Sequence, residues 1–204
     1  MIVTNKARND MKKPFYGVGR NSKRQHKTKL NNKHTEAYRA WHHMLTRCYS
    51  PKTQAINPTY IGCSISEVWH DFQDFADWFY SHPYSGLGYQ LDKDLLVTGN
   101  KVYSPETCCF VPQEINLLLN NNGINRGEHP QGVSWHKATE KYLANIAVKG
   151  KTVYLGVFNC AQEAHQAYRL AKEQYVKEKA LEWQDRIDTK VFDALISWRL
   201  NNSN

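Results

Sequence analysis

The chain has 204 residues, 41% of them hydrophobic, and a formal net charge of +8. This length suffices for one or two domains with hydrophobic cores, and no apolar run is long enough to predict a membrane span or a signal peptide. The five cysteines, an odd number in a chain without an export signal, favour reduced thiols and a cytoplasmic protein.

The positive charge is concentrated at the N-terminus. Residues 1–34 hold ten basic residues and one acidic residue, a net charge of +9, so the remainder carries −1. This segment lacks apolar periodicity, and we predict a flexible basic arm. Such an arm binds phosphate backbones without regard to sequence, and Lys23, Arg24 and Lys27 are its predicted DNA contacts. A solubilising tail is the alternative interpretation.

The next segment predicts two amphipathic helices that build a core. The first begins at Thr35 and carries Tyr38, Trp41, Leu45 and Cys48 on one stripe. A loop is predicted over residues 50–60, followed by a short strand near residues 61–65. Ser64 and Glu67 have capping-box spacing and predict the start of the second helix, whose inward stripe is aromatic: Val68, Phe72, Phe75, Trp78 and Phe79.

Residues 91–121 predict a strand, a long loop, a second strand over residues 108–111 and a helix from Gln113. The first strand carries Asp92 and the helix carries Asn116, the layout of a one-metal nuclease site. Carboxylate and amide oxygens are ligands that Mg²⁺ accepts in proteins. A metal in such a layout would be held between the acid of the first strand and the amide of the helix.

Together with the aromatic helices upstream, this segment resembles the phage-borne HNH-type homing endonucleases. LDKD at residues 91–94 corresponds to the first block of the motif and ETCCFV at residues 106–111 to its closing block. The resemblance implies a ββα-metal module over residues 35–122, hydrolysis of phosphodiesters in double-stranded DNA, and a location in the host cell cytoplasm. By the same alignment Asp92 and Asn116 match the family's metal ligands, which implies that they hold Mg²⁺ or Mn²⁺. Lys93 replaces the general-base histidine of the family, and Thr107 replaces its structural asparagine.

Asp92, Lys93 and Asp94 are therefore the predicted catalytic residues, and three interpretations remain open. Lys93 could serve as an electrophilic clamp on phosphate while a metal-bound water attacks. The chain could instead bind DNA without cleaving it, as a regulator or anti-defence factor. In the third interpretation another histidine supplies the base, the candidates being His42, His43 and His70.

Residues 132–172 read as three short strands followed by a helix. Turns are predicted over residues 137–141 and at Lys149-Gly150. Apolar residues alternate along the strands, and we predict that they share one face: Val133, Trp135, Ala144, Ile146, Val153, Leu155 and Val157. The opposite face is predicted to stay open, because the helix covers only one side.

Four blocks of this segment, GVSW, KYLANI, VYLGVF and QEAHQAY, resemble the ethylene-response-factor (Apetala) DNA-binding domain. The resemblance covers about a fifth of the chain and implies that the open face enters the DNA major groove. Carried over by position, the predicted DNA contacts are Gln131, Ser134, His136, Asn145, Ala147, Thr152 and Tyr154, rimmed by Lys137, Lys141, Lys149 and Lys151. Most of these positions are arginine or tryptophan in the family, so we expect weaker or differently directed sequence reading.

The whole chain is thus predicted to be α+β. A polar linker over residues 123–128 would join the nuclease-like module to a DNA-binding domain at residues 129–180. Residues 181–204 predict a C-terminal helix that either packs back or forms a homodimer, with Ile187, Val191, Leu195 and Trp198 on its stripe. Structural zinc on Cys48, Cys63 and Cys108 is not expected, because spaced cysteine pairs are missing.

Overall fold

The computed structural model describes residues 14–120 and 128–200. The chain divides into two compact units, Met1–Val111 and Pro112–Asn204. It is α+β, with six helices and small sheets within the described residues, as the sequence predicted. None of these helices has the length and apolar character needed to cross a membrane.

The first unit combines three helices with six short strands. The helices are α1 (Glu36–Tyr49), α2 (Pro51–Ile56) and α3 (Phe72–Ser81), and 3₁₀ turns span Pro58–Tyr60 and Glu67–Trp69. The strands pair as an antiparallel hairpin of β1 (Lys29–Leu30) with β2 (Lys33–His34), a parallel pair of β3 (Ser64–Ile65) with β5 (Val102–Tyr103), and an antiparallel pair of β4 (Gln90–Asp92) with β6 (Cys109–Val111).

Aromatic side chains of α1 and α3 form the core of this unit, as predicted. Thr35 caps α1 by accepting a hydrogen bond from the backbone N–H of Tyr38. Trp41 is fully buried; its indole N–H donates to the carbonyl of Trp69 at 2.8 Å, and its ring meets that of Phe72 edge-on. The buried indole N–H is thus satisfied, which removes the usual penalty for enclosing tryptophan.

Two local predictions in this unit are wrong. The capping box at Ser64 does not form, because Ser64 lies in β3, and α3 begins eight residues later with Asp71 accepting from the N–H of Gln73. The predicted loop after α1 contains α2, which Ser50 caps and Pro51 opens. Proline suits the first position of a helix, where its missing N–H costs no hydrogen bond.

Part of the predicted basic arm contacts α3. Gln73, whose exposed fraction is 0%, holds the arm's backbone to α3. Its Oε1 accepts from the N–H groups of Gln25 and His26 at 3.0 and 2.7 Å, and its Nε2 donates to Asn21 and to the carbonyl of His26. A polar core side chain thus makes the contacts between this segment and α3, and the flexibility of the arm stays a prediction. Residues 1–13 lie outside the described part.

The second unit is a three-stranded antiparallel sheet packed on a long helix, which confirms the predicted arrangement. Its elements are α4 (Gln113–Leu119), β7 (Val133–His136), β8 (Lys141–Val148), β9 (Lys151–Phe158), α5 (Ala161–Trp183), a 3₁₀ turn at Gln184–Arg186 and α6 (Thr189–Ser197). The strand order is β7-β8-β9. Residues 123–127 of the predicted linker lie outside the described residues, and Glu128 is its one described residue.

The predicted C-terminal helix is interrupted. Trp183 ends α5, and Asp188 caps α6 by accepting from the N–H of Lys190 at 2.8 Å. Ile187, Val191 and Leu195 are buried, and α6 packs on α5. The stripe that suggested a homodimer is therefore already covered within one chain, and the homodimer stays a prediction.

A buried lysine links α4 to α5 in this unit. Lys179 forms ion pairs with Glu114 on α4 and with Glu182, the latter at 3.0 Å. The helix that carries Asn116 consequently groups with the second unit. The predicted ββα-metal module would take its two strands from the first unit and its helix from the second, and it remains a prediction.

Candidate nucleic-acid interface and hairpin site

The register of the second unit's sheet places most of the predicted DNA contacts on one face. Directly opposed residues of an antiparallel pair project to the same side, and side chains alternate along each strand. The predicted contacts lie on the face of the sheet opposite to Ala144 and Ile146, whose side chains are buried under α5. The open face contains the pairs Ser134 with Leu143, His136 with Lys141, Leu143 with Val157, Asn145 with Tyr154, and Ala147 with Thr152.

A β-bulge changes the predicted alternation in β9. Ala144 opposes Gly156 and Asn145 opposes Tyr154, so Leu155 is an extra residue in its strand. The prediction that Val157 points to the covered face is therefore wrong: Val157 opposes Leu143 on the open face and is 40% exposed. The bulge therefore places the apolar side chain of Val157 on the open face, next to Leu143.

The flanking lysines are exposed but differ in placement. Lys149 and Gly150 form a two-residue turn with φ values of 49° and 75°, the pattern of a type I′ hairpin. Lys141 shares the open face with His136, whereas Lys151 opposes Val148 on the covered side. Lys149 and Lys151 therefore lie at the end of the sheet where β8 turns into β9, next to the open face. Lys137 lies in the first hairpin turn.

Gln131 differs from the other predicted contacts. Its side-chain oxygen is buried and has no hydrogen-bond partner within the described residues. A buried acceptor is poorly placed to read a base edge. His136, by contrast, is exposed and its Nδ1 lies 2.8 Å from the hydroxyl of Thr139, which orients the ring.

The three basic residues predicted to contact DNA from the arm are exposed, but one of them is engaged. Arg24 forms an ion pair with Asp74 on α3. The neighbouring His26 lies 2.8 Å from Asp77 of the same helix, and Lys23 and Lys27 are in no described ion pair. Acidic residues of α3 thus neutralise part of the arm's charge.

The hairpin of β4 and β6 carries Asp92 opposite Cys109. The Oδ1 atom of Asp92 accepts from the backbone N–H groups of Asp94 and Leu95, at 2.9 and 2.7 Å. Burial, followed by the charge of Asp94, raises the pKa of Asp92, although the two N–H bonds oppose the shift. Asp92 therefore closes the turn after β4 with one of its two oxygens.

Lys93 is 6% exposed and forms an ion pair with Asp94, not with Asp92. Its ammonium donates to Asp94 at 2.7 Å and to the carbonyl of Asn100 at 2.9 Å. Burial lowers the pKa of Lys93, but the hydrogen bond and charge of Asp94 outweigh it and the net shift is upward. A protonated, paired lysine is unsuited to act as a general base.

Asn100 is a structural residue of the hairpin that the sequence analysis missed. Its amide nitrogen donates to the carbonyls of Lys93 and Val102, and its Oδ1 accepts from the N–H of Val102. Thr107, at the family's asparagine position, donates to the same Val102 carbonyl at 2.9 Å. A Gly-Asn pair in a long loop was the only sequence signal for this role.

The magnesium or manganese site expected at Asp92 and Asn116 stays a prediction. Asn116, the second predicted ligand, belongs to the other unit, and the ammonium of Lys93 lies beside the carboxylate of Asp94. Within residues 14–120 and 128–200, no three His, Cys, Asp or Glu side chains form a cluster able to hold a metal. We therefore derive no catalytic step through Mg²⁺ or Mn²⁺.

The cysteines of the first unit are buried thiols. Burial raises the pKa of Cys48 and that of Cys108 to about 12. Zinc binds thiolates, so these protonated thiols behave as small apolar core groups. Cys63 is equally buried.

We expect Asp92→Asn to stabilise the first unit at neutral pH. When folding raises the pKa of an acid, the acid contributes most to the free energy of unfolding at a pH below its pKa in the unfolded chain. That contribution is lost as the pH rises through its pKa in the folded protein. Asparagine keeps the Oδ1 acceptor and removes the charge. Urea unfolding at pH 7 and pH 3 should show a gain at pH 7 that disappears at pH 3.

Asp94→Asn is the matched control for this prediction. It takes the carboxylate from buried Lys93, so a loss of about 1–2 kcal/mol in the free energy of unfolding is expected. A loss of stability in Asp92→Asn at pH 7 would contradict the assignment of Asp92 as a buried, unfavourably charged carboxylate.

A cavity of about 330 Å³ in the first unit was not visible in the sequence. It lies between α1, the loop before β4, and the strands β4 and β6. Of the three histidines considered as alternative bases, only His43 lines it; His70 bonds the carbonyl of Ile65, and His42 lies among aromatic rings. The lining consists of Glu36, Arg39, Ala40, His43, Met44, Arg47, Phe79, Gly86, Gly88, Tyr89, Gln90, Leu91 and Phe110.

Comparisons of the chain with protein-family models, with curated proteins and with solved structures find no match.

Proposed function

We propose that this protein binds double-stranded DNA through the open face of the sheet β7-β8-β9. The observation that carries the proposal is the strand register, which groups exposed polar side chains on one unobstructed face. Residues 129–158 hold four lysines and one acidic residue, so this part of the chain carries a net charge of +3. The major groove of B-DNA is wide enough to admit β-strands, and basic flanks are attracted to its phosphates.

The side chains of the open face favour contacts with A·T pairs. The amide of Asn145 can bond an adenine edge with two hydrogen bonds, and the methyl groups of Ala147 and Thr152 suit contact with the thymine methyl. None of the residue pairs of this face contains the arginine that most often reads guanine. We expect a modest sequence preference with a strong salt-dependent component.

Removing the flanking charge is expected to weaken binding uniformly across DNA sequences. In a Lys141→Gln, Lys149→Gln, Lys151→Gln variant, the slope of log affinity against log salt should fall by about three. Fluorescence anisotropy with one labelled duplex at several salt concentrations measures this slope. Lys190→Gln, an exposed lysine on α6, is the control and should change the slope by less than one.

Asn145→Ala should instead change sequence preference. Loss of a bidentate amide contact costs about 1–3 kcal/mol of discrimination at the contacted base pair. A library of duplexes selected by wild-type and variant protein would measure it. If the two proteins selected the same sites with the same affinity, the open face would not be the reading surface.

Endonuclease activity is the second candidate, favoured by the hairpin that places Asp92 at the end of β4 with a partly buried carboxylate. Supercoiled plasmid incubated with Mg²⁺, Mn²⁺ or EDTA tests it, with Asp92→Asn as the variant that keeps the turn. Metal-dependent nicking that the variant lacks would support cleavage. Salt-sensitive binding without nicking would support the alternative, a catalytically inactive HNH-like DNA-binding regulator or anti-defence factor.

A further inference from the structure

The cavity of the first unit has a row of basic side chains along one edge. Arg39, His43 and Arg47 are spaced four residues apart on α1, so they lie on one face of the helix, and all three line the cavity. With a rise of about 1.5 Å per residue, the row extends roughly 12 Å. The basic groups are therefore distributed along the cavity, an arrangement that suits an extended anion.

Arg47 is the most informative member of this row. Its side chain is partly buried, its guanidinium is hydrogen-bonded to Tyr103, and it lies 5.4 Å from the ring centroid of Tyr60. Within the described residues it forms no ion pair with a carboxylate; burial lowers the pKa of Arg47, but Tyr103, Tyr60 and the charge of Asp92 outweigh this effect. Partly buried cations are normally paired, and the planar guanidinium is suited to carboxylate or phosphate oxygens.

The other two basic positions are open to a ligand. Arg39 is exposed, and its contact with Glu36 is long, at 4.0 Å. His43 is exposed at the cavity rim, and partial burial followed by the charges of Arg47, His42 and Arg39 lowers its pKa. A neutral imidazole at pH 7 can accept a proton or a hydrogen bond from a ligand hydroxyl.

The remaining lining contains the carboxylate of Glu36 and the amide of Gln90 beside a group of apolar side chains. Met44, Phe79 and Phe110 are buried side chains that also form the wall of the cavity, with Tyr89 beside them. On the loop side Gly86 and Gly88 have φ values of 73° and 74° and carry no side chains into the opening. A volume of about 330 Å³ is at the small end of the range for ligand pockets.

We propose that this cavity is a nucleotide-binding site, in which the arginine row holds the phosphate and the apolar wall contacts the base or sugar. The ligand is either a free nucleotide or an unpaired nucleotide of a DNA strand. Both share a phosphate joined through a sugar to a planar aromatic base, which matches a basic edge next to aromatic side chains. The site is formed by residues of the first unit, whereas the open face of the sheet belongs to the second unit.

Isothermal titration of the full chain with thymidine monophosphate, a short single-stranded oligothymidylate and inorganic phosphate tests the proposal. Arg39→Gln should weaken nucleotide or oligonucleotide binding about tenfold, because a charge-assisted hydrogen bond is lost. Lys52→Gln, an exposed charge on α2 away from the cavity, should change the affinity less than about twofold.

Arg47→Lys provides a second variant that keeps the charge. We expect it also to weaken binding about tenfold, because lysine cannot reproduce the planar fork. In NMR spectra, the imidazole signal that is missing in His43→Gln should shift when the ligand is added to wild-type protein. Circular dichroism of each variant confirms that the fold is retained.

The outcomes separate the sources and the proposals. Binding of the monophosphate as tightly as the oligonucleotide identifies a free nucleotide as the ligand, whereas binding of the oligonucleotide alone identifies a strand. Inorganic phosphate binding as tightly as either, equal losses in Lys52→Gln and Arg39→Gln, or no shift of the His43 signal would overturn the proposal. None of these results changes the anisotropy measurements on the lysine variants of the sheet, so those measurements test the duplex-binding proposal independently.

Discussion

Gly132→Ala is expected to destabilise the second unit by about 3 kcal/mol, the sum of a left-handed backbone cost and an overpacking cost. Gly132 has a φ of 79°, and a Cβ atom at this position would fall on the ring of Tyr168. That ring is 6% exposed, packs against Ile146 and belongs to the small core under the sheet. We therefore expect that neither the backbone at residue 132 nor the Tyr168 ring can move aside without a loss of stability.

The same substitution should disturb the proposed DNA interface. The carbonyl of Gly132 accepts a hydrogen bond from the N–H of Asn145 at 2.9 Å, where β7 begins to pair with β8. Displacing this backbone would move Asn145, so duplex affinity should fall together with stability. Urea unfolding followed by circular dichroism, with anisotropy on the same samples, measures both quantities.

Gly150→Ala is the matched control. Gly150 has nearly the same φ, 75°, but no atom lies within 4 Å of its added Cβ. Only the backbone cost remains, and a loss of about 1 kcal/mol is expected. In a Tyr168→Leu background, the cost of Gly132→Ala should shrink towards this value; equal losses for both glycines in the wild-type background would contradict the clash.

Gln73→Leu is expected to release residues 21–27 from α3 and to destabilise the first unit by roughly 3 kcal/mol. The substitution removes the acceptor of two backbone N–H groups and the donor to Asn21 and to the His26 carbonyl. Leucine has a similar volume, so the lost hydrogen bonds, and not a cavity, determine the effect. The released segment should then behave as the flexible arm that its composition predicts.

Limited proteolysis with trypsin measures this release. Lys23, Arg24 and Lys27 lie in the segment held by Gln73, so cleavage there should accelerate in the variant. Asp77→Asn is the control: it weakens the exposed contacts of Asp77 with His26 and Arg24, which are expected to contribute less than about 1 kcal/mol. Similar cleavage rates in the two variants would show that Gln73 does not hold the arm.

Local signals in the sequence were sufficient for several elements. Thr35 predicted the start of α1, because an N-cap acts on the N–H groups of its own first turn. The period-two alternation and the Lys149-Gly150 turn predicted β8 and β9, because both depend on neighbouring residues only. The Trp and Phe stripes of α1 and α3 predicted the core, since helical spacing brings them to one face.

Tertiary contacts decided the features that matter most for the proposed functions. The bulge at Leu155 is a property of the pairing between two strands, and no pattern within β9 reveals it. Gln73 orders an arm about 50 residues away, and Asp94 neutralises Lys93 because the hairpin buries the ammonium. The proposed nucleotide site lies between α1 and the strands β4 and β6, which are far apart in sequence. In the sequence alone, its row of basic side chains therefore resembles the charged, solvent-exposed face of an ordinary helix. Composition and periodicity thus determined the α+β class and the sheet-on-helix unit, whereas burial and long-range pairing determined which charged groups are engaged and which remain open to a ligand.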